Sequence, residues 1–132
     1  MASQTESGKQ PSKEAVEEGS AFLPKFDEKG LLTAVVLDAS TGEVLVVAYM
    51  DQAAIDKTID TGRVTFWSRS RRKLWTKGET SGHFLLVDEI LVDCDQDALV
   101  IRATPEGPTC HTGRPSCFYR RLERGTLVKV NT

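Results

Sequence analysis

The chain contains no run of about 18 apolar residues, so no segment reads as a membrane-spanning helix. Its first twenty residues (MASQTESGKQPSKEAVEEGS) lack the apolar middle region of a secretion signal. Cysteine is scarce. Three residues leave one over after any internal disulfide, and no Cys-x-x-Cys occurs, which excludes a standard zinc-ribbon spacing. With no secretion signal, reduced thiols and a cytoplasmic location are expected. An excess of basic charge is also missing. The net charge is −2 and the isoelectric point is near 5.7, which argues against a protein that coats nucleic acid. Internal repeats and a domain linker are absent, so the 132 residues read as one domain. A chain this short has limited room to bury surface by itself, which favours oligomerisation.

Residues 1–20 are polar and read as a disordered, mobile tail, with the folded domain over 21–132. Leu31 to Leu37 and Glu43 to Tyr49 are β-branched and apolar. The turn-rich Asp38–Gly42 between them predicts a β-hairpin. Asp51 is placed to cap a helix over Gln52 to Thr61, with Gly62 as its left-handed stop and Ile55 and Ile59 on one face. Val64–Ser68 reads as a strand, Arg69–Gly82 as a polar, basic connection, and Phe84–Val92 and Ala98–Ala103 as further strands. Thr104–Ser116, with Pro105, Gly107, Pro108, Gly113 and Pro115, reads as a loop. Cys117–Leu122 and Thr126–Val130 read as short closing strands.

Three clusters carry chemistry. The first is Asp93-Cys94-Asp95-Gln96-Asp97. In extended backbone, Asp93, Asp95 and Asp97 would share one face and Cys94 the other. Such carboxylates repel, by roughly 4 kcal/mol for a pair about 4 Å apart at an effective dielectric of 20. Hard oxygen ligands suit Mg²⁺ or Ca²⁺. An EF-hand is excluded, because Ala98 and Thr104 stand where that loop needs Gly and Glu. The plainer alternative is a solvated acidic turn. The second cluster is Cys94, Cys110 and Cys117 with His111. Three thiolates suit zinc and leave a fourth position for water, whereas His111 in that position would close the site. The alternative is three buried cysteines acting as small hydrophobes. The third is the segment from Trp67 to Gly78, where Arg69, Arg71, Lys73 and Lys77 alternate with Trp67 and Trp75. Arginine forks grip phosphate and a tryptophan can cover a base, which suits a phosphorylated nucleotide. An exposed basic loop is the commoner reading of such a run. Ser81-Gly82-His83 follows, and a lone histidine is more often a structural hydrogen-bonder than a catalyst.

Several stretches fall in one order: Ala48-Tyr49-Met50, Thr61-Gly62, Trp67-Ser68-Arg69-Ser70-Arg71, Leu74 through Glu79, Ser81-Gly82-His83, Asp93 through Leu99, and Cys110-His111-Thr112-Gly113 through Ser116-Cys117-Phe118-Tyr119. Together they resemble the phosphoribosyl-AMP cyclohydrolases of histidine biosynthesis. The resemblance covers roughly residues 26–121. It implies a β-rich α+β fold with a mainly antiparallel sheet and few short helices, intertwined as a cytoplasmic homodimer. It also implies a hydrolase that opens the adenine ring of its substrate between N1 and C6. The family's zinc ligands map onto Cys94, Cys110 and Cys117, shared between chains, and its magnesium ligands onto Asp93, Asp95 and Asp97. His111, adjoining Cys110, is the candidate for proton transfer, with zinc acidifying the attacking water. The expected substrate contacts are Trp67, Arg69, Arg71, Lys73, Trp75, Lys77 and His83. Many family members carry a fused pyrophosphohydrolase domain, and this chain is expected to carry the cyclohydrolase step alone. Asp51, Leu85, Pro105 and Thr109 depart from the residues usual in the family. The rival classes are a zinc-stabilised, non-catalytic binding module and a metal-dependent nucleotide hydrolase of another reaction type.

Overall fold

The computed structural model describes residues 10–130. A short helix α1 (Lys13–Glu18) precedes strands β1 (Leu32–Asp38) and β2 (Val44–Met50). Helix α2 (Gln52–Thr61) leads to β3 (Thr65–Ser68) and β4 (Lys73–Thr76). Then come β5 (Leu85–Val92), β6 (Ala98–Pro105), β7 (Arg120–Glu123) and β8 (Thr126–Lys129). The main sheet has the order β2-β1-β6-β5, and β3-β4 and β7-β8 form separate two-stranded sheets.

The local signals operate as read in most places. The β1–β2 hairpin turns at Asp38, whose carboxylate accepts from the Ser40 amide at 2.8 Å. Asp51 caps α2 by accepting from the Ala54 amide at 2.8 Å, and Gly62 ends it at φ 72°. The core forms on one face of the main sheet, where Leu32, Ala34 and Val36 of β1 alternate with less buried neighbours. Leu99, Ile101 and Ala103 of β6 supply the adjoining row. Ala54 and Ile55 of α2, with Val64 and Phe66, complete that core. Each of the leucine, isoleucine, valine and phenylalanine side chains, fully buried, contributes roughly 1.5–3 kcal/mol, and each alanine less. Ile59 does not join Ile55 in the core and stays 60% exposed.

Two expectations are corrected, and the tail expected over residues 1–20 lies outside the described residues up to position 9. Beyond it, Ser12 caps α1, because its hydroxyl accepts from the Ala15 amide at 3.0 Å. The segment after α1 is tied down by Gln96, described below. The basic connection contains β4, which pairs with β3 from Thr65↔Thr76 to Ser68↔Lys73. Finally, Asp93–Asp97 is not extended. It forms the tight turn between β5 and β6, with Gln96 in the left-handed region at φ 59°.

The sheet is mainly antiparallel, but β1 and β6 run parallel, with Thr33↔Ala98 at one end and Asp38↔Ala103 at the other. This pairing decides how the clusters are distributed. The acidic turn, entering β6, lies at the end of the sheet where β1 begins. Because β2 is antiparallel to β1, Val44 and Leu45 lie at the opposite end.

Candidate active site

The acidic turn converges by hydrogen bonding. Asp93 Oδ1 accepts from the amides of Asp97 at 2.9 Å and Ala98 at 3.1 Å. One carboxylate oxygen from each of Asp93, Asp95 and Asp97 lies within 4.8 Å of the others. A proton shared with Asp93 first, and with Asp95 second, pushes Asp97 up to about 6. Burial alone would raise Asp93. The hydrogen bonds it accepts from Asp97, Ala98 and Asp95 outweigh burial and hold it below the usual carboxylate range. Three exposed carboxylates this close favour a shared proton or a cation, and as hard oxygen donors they fit Mg²⁺ or another hard divalent ion.

Cys110 and Cys117 meet in the loop after β6. Thr109 N donates to Pro115 O at 3.3 Å and Cys110 N to Arg114 O at 3.0 Å, which closes that loop on itself. Ser116 Oγ donates to Val44 O at 2.6 Å, and Cys117 N donates to Leu45 O at 2.8 Å. The thiol pair is thereby docked on the outer edge of β2. Burial would raise the Cys110 thiol. Hydrogen bonds from the Thr112 hydroxyl (3.1 Å), the Thr112 amide and Cys117, with the Lys77 charge, reverse this and lower it. Cys117 is pushed up, first by burial and then by the Cys110 charge. Cys110 is therefore the favoured thiolate and Cys117 its hydrogen-bond donor. A thiolate with an adjacent thiol is a donor set that fits zinc.

Cys94 does not join them within one chain. It is exposed in the β5–β6 turn, and Cys117 docks at the other end of the sheet on the other side of β1. From Thr33 to Leu37 is four residues, or about 13 Å along the strand, and β6 to β2 is about 10 Å across. Among the described residues, the three aspartates are the group of at least three possible ligands that converges. His111 is exposed, one residue from Cys110.

The expected substrate contacts separate into four places. Trp67, Arg69, Arg71 and Trp75 line one cavity of about 690 Å³ together with Tyr49 and Lys29. Arg69 stacks 4.1 Å over the Tyr49 ring, and Arg71 sits 5.5 Å from the Trp75 ring centre. Lys73 is exposed at the start of β4. Lys77 is only 9% exposed, with its ammonium 5.0 Å from the Trp75 ring and close enough to act on both Cys110 and Cys117. It therefore lies buried beside the thiol pair. His83 lies beneath Gly107, where an added Cβ would strike its imidazole ring.

The family model described as phosphoribosyl-AMP cyclohydrolase matches residues 46–119, more than half of the chain. The matched segment holds all three clusters. The chain belongs to the phosphoribosyl-AMP cyclohydrolase family. A phosphoribosyl-AMP cyclohydrolase of Brucella anthropi is 59% identical over 116 residues, which cover 86% of this chain and 82% of that protein. Its counterpart in Brucella canis is 57% identical over 116 residues, covering 86% and 84%. That of Hyphomonas neptunium is 56% identical over 113 residues, covering 86% of each. The family is one of hydrolases, so the chain is an enzyme and the non-catalytic binding module is set aside. Two departures from the usual family residues, Leu85 and Pro105, face each other across β5 and β6, and Leu85 is fully buried. They are one packed pair. A third, Asp51, serves as the α2 cap, a role that asparagine also fills. No helix among the described residues is long and apolar enough to cross a membrane.

Sequence reading missed Tyr49 and Lys29 as cavity walls and Thr112 as a thiol donor. Tyr49 sits in a motif that carries the resemblance, but nothing local marks it as facing Arg69.

Proposed function

We propose that this enzyme adds water across the N1–C6 bond of the adenine ring of phosphoribosyl-AMP. Oxygen is delivered to C6 and hydrogen to N1, so the ring opens and no ammonia leaves. Cys110 and Cys117 of one chain, with Cys94 of a second copy, would hold zinc. Asp93, Asp95 and Asp97 would hold magnesium. The observation that carries this reading is the split among the cysteines. A thiolate-favouring pair is docked on β2, while the third cysteine stands exposed at the far end of the sheet. Only a partner chain brings all three together.

Zinc, when bound, makes water acidic enough to attack at neutral pH, and magnesium neutralises phosphate charge. The chain's own residues do the rest. His111, beside Cys110 and open to solvent, moves a proton between the attacking water and N1. Arg69 and Arg71 grip phosphate in the Tyr49–Trp67 cavity, and Trp67 walls the base. Lys77 supplies a buried positive charge beside the thiolate. A homodimer is supported by exposed apolar side chains such as Val47, Leu91, Leu122 and Leu127. A cytoplasmic location is supported by the three free cysteines.

The test is complementation between Cys94→Ala and Cys110→Ala chains. Each variant alone should retain little zinc and fail to bleach the purine absorbance of phosphoribosyl-AMP. Refolded together, they should recover about a quarter of wild-type zinc and turnover, since half the pairs are mixed and each mixed pair has one intact site of two. Zero recovery would sink the shared site. Full turnover by a zinc-free variant would sink the role of zinc.

A further inference from the structure

Gln96 sits in the middle of the acidic turn, yet its side chain points away from the carboxylates. It is only 6% exposed. Its Oε1 accepts from the Leu23 amide at 2.7 Å. Its Nε2 donates to Val16 O at 3.0 Å and Ala21 O at 3.4 Å. Its backbone carbonyl accepts from Lys25 N at 2.7 Å. One residue thus holds four backbone groups of the segment 16–25, which lies outside the matched family region.

The physical need for such a clasp comes from the carboxylates. Three of them lie within 4.8 Å and repel when ionised. Repulsion favours opening the turn. Gln96 also stands at φ 59°, a conformation that costs a residue with a side chain roughly 1–2 kcal/mol. The turn's own bonds from the Asp97 and Ala98 amides to Asp93 oppose this, and the segment 16–25, gripped by the Gln96 side chain, supports the turn from outside.

We propose that Gln96 is a positioning residue that makes the segment 16–25 part of the acidic site, keeping Asp93, Asp95 and Asp97 converged for a divalent cation. This rests on reading the acidic turn as a cation site. The clasp is tied at one end to the turn and at the other to the N-terminal segment, so releasing either end must loosen the carboxylates.

The experiment is Mn²⁺ binding to the full chain, followed by electron paramagnetic resonance well below the melting temperature. Gln96→Gly removes the clasp while easing the strained backbone. Leu23→Pro removes a donor from the strap and leaves every residue of the turn intact. Both should weaken Mn²⁺ binding by about tenfold, as loss of outer partners does at metal sites. Both should also speed amide exchange over residues 16–25 and leave the melting of the core unchanged. Wild-type affinity in a Leu23→Pro chain whose strap amides exchange freely would overturn the proposal and leave the cation site standing. Equal Mn²⁺ binding by wild type and Asp97→Asn would overturn the cation reading, and this proposal with it.

Discussion

Replacing Ser116 by alanine removes one oxygen that serves two backbone groups. That oxygen is 2.6 Å from Val44 O, to which it donates, and 2.8 Å from Phe118 N, from which it accepts. The residue is 3% exposed, so water cannot readily substitute. Each neutral hydrogen bond is worth about 1 kcal/mol net, and the part-buried Phe118 amide left without a partner adds up to about 1 kcal/mol more. The sum is on the order of 2–3 kcal/mol. For a domain of this size that lowers the melting temperature by about 10 °C. The loss is local, because Ser116 ties the Cys117 segment to the edge of β2. On the proposed zinc reading, zinc should therefore leave the Ser116→Ala protein faster even at temperatures where the fold is intact. The assay is a thermal melt at fixed protein and zinc concentration, paired with zinc release to a chromogenic chelator. Ser70→Ala, at an exposed position, is the control. If Ser116→Ala melts within about 1 °C of wild type and releases zinc at the same rate, this hydroxyl does not anchor the thiol pair.

Other outcomes follow from single features. Thr109 is 2% exposed and its Oγ1 has no partner among the described residues, so Thr109→Ala should stabilise by about 1 kcal/mol in a urea melt; a loss of stability would show that the hydroxyl is satisfied after all. Gly78 lies at φ 92° and a Cβ there would overlap the His83 carbonyl, so Gly78→Ala should cost about 3 kcal/mol or more. Gly82, at φ 81° with open space around it, should tolerate alanine at about 1–2 kcal/mol, and equal melting of the two variants would contradict the clash. Asp97 is raised to about 6 from an ordinary 3.8, so without a cation the folded chain binds this proton more tightly than the unfolded chain. The stabilisation is complete below pH 3.8 and is lost as pH rises towards 6. Asp97→Asn should flatten that slope in urea midpoints measured in chelator, and an unchanged slope would reject the shared proton. Asp93, held low, acts in the other direction, and its stabilisation is lost as pH falls below the usual carboxylate range.

Much of the local structure was legible. The β1–β2 hairpin and α2 follow from β-branched runs, an Asp cap and a Gly stop, signals that act over a few residues. β4 was hidden because Lys73-Leu74-Trp75-Thr76 carries charge beside its tryptophan, and only pairing with Thr65–Ser68 makes it a strand. The acidic turn was misread because alternate aspartates fit an extended face and a tight turn equally well. Only the left-handed Gln96, gripped by distant residues, selects the turn. In sequence Lys77 belongs to the basic run offered for phosphate, and the path of the chain after β4 places it, buried, beside the thiols.

By itself the sequence determined the candidate ligands, the order of the motifs and, through them, the family and its reaction class. These depend on side-chain chemistry and short spacings. Which of the candidate ligands meet was decided only by tertiary structure. Parallel pairing of β1 with β6 and antiparallel pairing of β1 with β2 send Cys94 to one end of the sheet and Cys117 to the other. Strand direction and register are set by burial of a face shared among distant segments, and no local pattern encodes them.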